Sequence, residues 1–318
     1  MRAFLLKISL FLILFALVAG VFDTLYFKVR METLYPELVH LDKLLEEEVE
    51  VILLGSSVNR YTDSLDTDKR SIDAMLADLL PERKVGAISH TAYHMDIFLE
   101  LARYISRQDH KPLLIIPINV RTLCPAWDLR PTYQFTFEKH LINNAHLFRR
   151  FIDMNKDVEK ELQDFKEYPV YHQKRLIGQL QEFTAPYAKL TDPTKGFIFH
   201  YLQPISPDNQ KIVSFENLLS NCEEHGIPYL IYFTPLDYTS AEALQIPGFQ
   251  EGLATNLSLF EEVIQLHEAE DRTLDLSFSL DSAYFSYPIL PNEHLTQAGR
   301  MFVAAHLRDK INTAKALN

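Results

Sequence analysis

Short, almost continuous apolar runs alternate along the chain with longer amphipathic stretches. In V-E-V-I-L-L-G, the residues Val49, Val51, Ile52, Leu53 and Leu54 predict a buried strand that stops at Gly55. Comparable runs predict strands at 85–88, 112–119, 229–234 and 273–278. Between them, helical spacing predicts helices over 34–50, 71–80 (Ile72, Met75, Leu76, Leu79, Leu80), 95–105, 215–222, 258–267 and 296–311. The acidic run Glu46–Glu48 reads as a solvated helix face. Residues 134–185, rich in helix formers and aromatics, predict a helical insertion spanning about 130–210. Strands that are apolar throughout need cover on both faces. The expected fold is therefore α/β, a three-layer sandwich around a mostly parallel central sheet.

The N-terminus departs from this alternation. From Ile8 to Phe22 the only polar side chain is Ser9, and extending back to Phe4 adds one charge, Lys7. Residues 4–22 would form a helix roughly 28 Å long at about 1.5 Å per residue, close to the thickness of a bilayer core. Arg2 and Lys7 favour a cytoplasmic N-terminus, while Lys28 and Arg30 on the other flank oppose it. Residues 1–30 thus read as a single-pass membrane anchor or a cleaved signal peptide, with Val18 and Gly20 at −3 and −1 of the cleavage site. Residues 31–318 follow as one domain outside the cytoplasmic membrane, facing the periplasm or cell exterior.

Composition narrows the chemistry. The 318 residues are 47% hydrophobic, and 9 Gly and 16 Pro are too few for a disordered chain. With 43 acids against 31 bases the formal charge is −12, which disfavours nucleic acid as a partner. The two cysteines, Cys124 and Cys222, allow one disulfide but neither a disulfide framework nor a Cys-rich metal module. There is no Gly-rich phosphate loop, and no cofactor is expected. His90 and His94, four apart, would share a helix face; with no third ligand they read as pocket lining or surface, so no metal is expected.

In parallel sheets reactive groups gather in loops past the carboxyl ends of the strands. Three such loops stand out. Gly55-Ser56-Ser57-Val58-Asn59-Arg60 offers a hydroxyl directly after a strand, although Ser is equally suited to capping a helix. Pro117-Ile118-Asn119-Val120-Arg121 offers an amide donor for a developing oxyanion, although Asn is also an ordinary loop residue. Asn292-Glu293-His294-Leu295-Thr296, with Gly299 beyond it, offers an imidazole before the last helix, where a surface His would pass without remark. After Asn119 come Arg121, Trp127, Arg130, Tyr133 and Phe135, a mix suited to packing or to stacking on sugars and pairing with carboxylates.

The order Ser, Asn, His resembles that of the SGNH (GDSL-like) hydrolases. V-I-L-L-G-S-S is similar to their first block, with Ser56 where many members have Asp. P-I-N-V-R is similar to the third, and N-E-H-L-T-Q-A-G-R to the last. The G-S-S form resembles the D-alanyl transfer proteins of teichoic-acid modification, which also carry an N-terminal anchor. The resemblance spans about residues 49–308 and implies an SGNH/flavodoxin-like fold with Ser57 as nucleophile, His294 as base and Asn119 as oxyanion donor. It implies a serine esterase or O-acyltransferase acting on an acylated carbohydrate or cell-envelope polymer, with an integral-membrane acyltransferase as a further partner. Two departures stand against it. The family's Asp three residues before the His is here Pro291, leaving Asn292 or a more distant Asp281 to orient the ring. The second block's Gly has no evident counterpart in G-A-I-S-H-T-A-Y-H, where Ser89, His90 or Thr91 would take its place. A catalytically inactive relative that binds polymer or scaffolds an acyltransferase is the alternative these departures leave open.

Overall fold

The computed structural model describes residues 2–124, 127, 133–143, 192–287 and 291–313. Five strands, β1 (Val51–Gly55), β2 (Val85–Ser89), β3 (Leu113–Ile118), β4 (Tyr229–Phe233) and β5 (Thr273–Asp275), form one sheet in the order β2-β1-β3-β4-β5. Every pairing is parallel. The chain steps from β1 outward to β2, then returns to place β3 on the other side of β1. This reversal opens a crevice at the carboxyl ends of β1 and β3, where open α/β sheets bind ligands.

Strand periodicity divides the core in two. Ile52, Leu54, Leu114, Ile116 and Ile118 point to one face and pack against the helices α2 (Pro36–Glu46), α5 (Met95–Ile105), α8 (Gln210–Glu224) and α10 (Phe249–Leu266). Val51, Leu53, Leu113 and Ile115 point to the other and meet Ile72, Met75 and Leu76 of α4 (Ile72–Leu79) and Val303, Ala304 and Leu307 of α11 (Gln297–Thr313). Each such buried aliphatic side chain contributes roughly 1.5–3 kcal/mol. The remaining helices are α1 (Arg2–Leu34), α3 (Ser57–Arg60), α6 (Thr136–Asn143), α7 (Asp192–Tyr201) and α9 (Tyr238–Ala243).

The sandwich with its parallel sheet agrees with the pattern of apolar runs, and α5 has the expected ends. Several details differ. The helices expected at 215–222 and 258–267 begin earlier, at Gln210 and Phe249. The stretch 34–50 is divided at Pro36, which has no N–H to continue α1 and instead opens α2. The acidic run is the exposed end of α2 rather than a helix face, with Glu48 in a left-handed turn at φ 53°. β5 stops at Asp275, where the carboxylate accepts the Ser277 N–H (2.8 Å) and turns the chain away. Cys124 and Cys222 are both buried and free. Within 130–210, where a helical insertion is expected, α6 and α7 are helical, while 144–191 and Arg130 lie outside the described residues.

α1 carries an apolar window, Phe4–Val21, with mean hydropathy 2.6 and no buried residue, so one helix is long and apolar enough to cross a membrane.

Gly55 marks the tightest approach at the crevice. A Cβ there would lie 2.3 Å from Ser89 Oγ and 2.9 Å from Asn59 Cβ. Ser89 Oγ cannot simply swing aside, because it accepts a hydrogen bond from Asn59 Nδ2 (2.7 Å), and Asn59 also donates to Asp73 (3.0 Å). Gly55→Ala is expected to destabilise the protein by about 1–3 kcal/mol, the usual range for overpacking, read from urea unfolding midpoints. Ala at the open position Gly226 is the control for backbone strain, since its φ is 64° and nothing lies within 4 Å.

Candidate active site

Ser57 is the first residue of α3, immediately past β1. Ser56 caps that helix, its Oγ accepting the Val58 N–H (3.3 Å), which leaves the Ser57 hydroxyl to face the crevice. Opposite it, His294 sits in the loop before α11. Ser57 Oγ and His294 Nε2 are 3.1 Å apart, although 237 residues separate them in sequence.

The proximity is built by packing. α4 and α11 lie side by side beneath β1 and β3, and both begin at the carboxyl end of the sheet. Thr296 caps α11 through Oγ1, which accepts the Gly299 N–H (3.4 Å). Gly299 has no side chain because a Cβ would lie 2.8 Å from the Tyr284 carbonyl oxygen. That carbonyl accepts the Thr296 N–H (2.9 Å), beside an antiparallel bridge between Phe285 and Leu295. H-L-T-x-x-G is thus a cap and a close-packing position around the imidazole.

Arg300, on the next turn, is completely buried. Its guanidinium donates to the carbonyls of Tyr61 (3.2 Å), Asp68 (2.7 Å), Arg70 (2.9 Å) and Leu295 (2.9 Å), and to the Asp66 carboxylate (2.8 Å). It ties the residue after His294 to the segment that follows α3. Gln297 adds to the join, its Oε1 accepting from the Thr67 and Asp68 N–H groups.

The imidazole itself is held in an unexpected way. Its face stacks on Tyr61 at 4.2 Å and 11°. Tyr61 donates its hydroxyl proton to Tyr287 (2.6 Å). Among the described residues, nothing hydrogen-bonds His294 Nδ1. Asn292 accepts the His294 backbone N–H (2.9 Å) and donates to the Tyr287 carbonyl (2.7 Å), so it shapes the loop rather than the ring. Asp281 is exposed and caps a 3-10 turn by accepting the Ala283 N–H (2.9 Å). Pro291 packs against α7, its Cγ 3.1 Å from where a Gly196 Cβ would be. Burial, assisted by the positive charge of Arg121, pushes the imidazole pKa down to about 4, so the ring is neutral at pH 7.

Asn119 directly follows β3, the strand beside β1, and caps the 3-10 turn Val120–Leu123. Its Oδ1 accepts the Arg121 N–H (3.1 Å), fixing the side chain with its amide NH2 directed away from its own turn. Next to it lies Glu293, only 1% exposed. Tyr201 donates to its Oε1 (3.4 Å), and Oε2 makes no hydrogen bond. Burial raises the Glu293 pKa to about 8; Arg121, Tyr201 and Asn119 pull against that rise without cancelling it. The carboxyl is therefore largely protonated at neutral pH.

Other expected residues stand further from the reacting pair. Ser89 braces α3 through Asn59, and its carbonyl accepts from Arg60 (3.0 Å). The loop after it passes through Ala92 at φ 65°, a left-handed conformation unusual for Ala. His90 bonds the Thr91 carbonyl through Nδ1 (3.0 Å). His94 caps α5 through Nδ1, which accepts the Asp96 N–H (3.4 Å), and Nε2 donates to the Tyr133 carbonyl (2.7 Å). The two rings therefore do not share a helix face. Tyr61, Glu293 and Arg300 escaped sequence reasoning. Only Glu293, adjacent to the His, carried any signal.

No family model matches the chain, and no curated protein matches it. Among solved structures the chain is similar to an inhibitor-bound aryl esterase from M. smegmatis, with 10% identity, a TM-score of 0.44, and coverage of 84% of this chain and 100% of that one. It is also similar to a carbohydrate acetylesterase family member from Sinorhizobium meliloti, with 11% identity, a TM-score of 0.41, and coverage of 84% and 99%.

The Glu293 proton gives a pH signature. The unfolded chain releases it near pH 4.5, whereas the folded protein keeps it to about pH 8. Stability from this group is thus complete below pH 4.5 and is lost as pH rises through 8, at roughly 1.4 kcal/mol per unit of separation at most. Glu293→Gln is expected to flatten the fall in unfolding free energy between pH 5 and 8, measured by urea titration at both ends.

Proposed function

We propose that the protein is an SGNH-type serine esterase or O-acyltransferase acting on ester-linked acyl groups of an extracellular or cell-envelope polysaccharide. The observation that carries this reading is the 3.1 Å contact between Ser57 Oγ and the neutral Nε2 of His294. The order Ser57, Asn119, His294 and the resemblance in the three blocks support the family. The crevice position at a topological switch point supports a substrate site.

The chemistry follows from the donors present. Ser57 attacks the ester carbonyl as His294 Nε2 takes the hydroxyl proton. The carbonyl oxygen becomes an anion facing the Asn119 amide and the Ser57 N–H at the start of α3. On collapse the alkoxide leaves, taking the proton from His294, and an acyl-Ser57 ester remains. Water or a sugar hydroxyl then repeats the steps in reverse. Stacking on Tyr61 holds the ring plane in this reading, so a Ser-His dyad suffices without a carboxylate at Nδ1. Residues 4–22 anchor the domain to the cytoplasmic membrane, leaving it outside the cell or in the periplasm.

A fluorophosphonate probe is expected to label the wild-type protein and not Ser57→Ala or His294→Ala, with 4-nitrophenyl acetate turnover falling at least about 10⁴-fold in both. Absence of labelling in well-folded protein would overturn the enzyme reading in favour of a polymer-binding relative. Because the imidazole pKa is pushed down to about 4, kcat/KM is expected to stay level from pH 7 to 5 and to fall only near 4; a midpoint at 6.5 would contradict the neutral, buried base. For the anchor, membrane-fraction protein with residues 1–22 intact is expected, against a soluble form beginning near Val21.

A further inference from the structure

Arg121 lies in the short 3-10 turn Val120–Leu123, two residues past Asn119. Among the described residues its guanidinium makes no hydrogen bond and no ion pair, and its Nε is buried. Its Cζ lies 5.4 Å from the centre of the Trp127 ring, and its charge is felt by Glu293, His294 and Tyr201. The Trp127 indole N–H is likewise buried without an acceptor. Two sheltered donors, one on a permanent cation, therefore stand together just past the end of β3 with no acceptor among the described residues. The Glu293 carboxyl feels the Arg121 charge but forms no ion pair with it among the described residues, and burial raises its pKa to about 8. His294 is neutral. The immediate site is thus positive in a chain whose formal charge is −12.

We propose that Arg121, with the Trp127 indole N–H beside it, is a specificity site for a carboxylate on the alcohol portion of the ester, as in an acylated acidic sugar. The planar fork of a guanidinium matches a carboxylate bidentately, and the indole N–H supplies a further donor. The alcohol side is favoured because the field of Arg121 reaches the imidazole, whose Nε2 must return a proton to the departing oxygen. This proposal rests on the esterase reading and narrows its substrate to anionic acceptors or donors.

The test separates the two. Calorimetric titration with 4-hydroxybenzoate and its methyl ester measures recognition without turnover. The acid is expected to bind wild type at least tenfold more tightly than the methyl ester. Arg121→Gln abolishes that preference, and Arg121→Lys keeps part of it, since charge survives but the fork does not. In parallel, kcat/KM for 4-acetoxybenzoate over methyl 4-acetoxybenzoate is expected to fall at least tenfold in Arg121→Gln, with melting curves confirming folded variants. Turnover of both acetates with no charge preference would overturn the carboxylate site and leave the esterase standing. Charge-selective, Arg121-dependent binding without turnover of either acetate would do the reverse. Equal affinity of wild type for acid and methyl ester would also overturn the proposal.

Discussion

A single buried guanidinium holds the two halves of the candidate site together. Arg300 reaches from α11 to the carbonyls of Tyr61, Asp68 and Arg70 on one side and Leu295 on the other, and pairs with Asp66. A charge removed from water is costly unless every donor finds a partner, so the loops must close around it in one arrangement. That arrangement puts the Ser57 hydroxyl against the imidazole. The apolar packing of α4 against α11 brings the loops near; Arg300 fixes how they meet.

The electrostatics of the crevice follow from burial rather than from paired charges. No described carboxylate stands behind His294, and the ring is steadied by the face of Tyr61 instead. The buried carboxyl lies one residue away, at Glu293, protonated and directed toward Asn119 rather than the imidazole. With both titratable groups uncharged near neutrality, the charge of Arg121 dominates locally. An active centre of this kind would meet an anionic substrate with attraction although the molecule as a whole repels it.

Much of the frame was legible. The strand positions follow from uninterrupted apolar runs, because a parallel strand buried on both faces has no room for polar residues. Ser57, Asn119 and His294 could be singled out because each directly follows an apolar run or precedes a helix, where side chains reach a sheet's carboxyl rim. The ring's support was not legible. Asn292 and Asp281 have suitable chemistry, but one is spent on the loop backbone and the other on a surface turn. Tyr61 gave no sign, since a Tyr after a four-residue helix is unremarkable until its partner, 233 positions later, arrives on the other side of the ring. The role of Arg300 was not legible either, because hydropathy cannot register five acceptors converging on one side chain.

The sequence by itself determined the strands, the alternation that divides their side chains between two cores, the apolar N-terminal helix, and which residues carry reactive groups. These depend on local periodicity and on side-chain chemistry, both of which are written residue by residue. Only the tertiary structure decided which reactive groups meet, which carboxyl is buried with its proton, and which guanidinium is tied into the fold by five acceptors and which is not. Those outcomes depend on burial and on distances across the fold, quantities that exist only once remote segments share the same space.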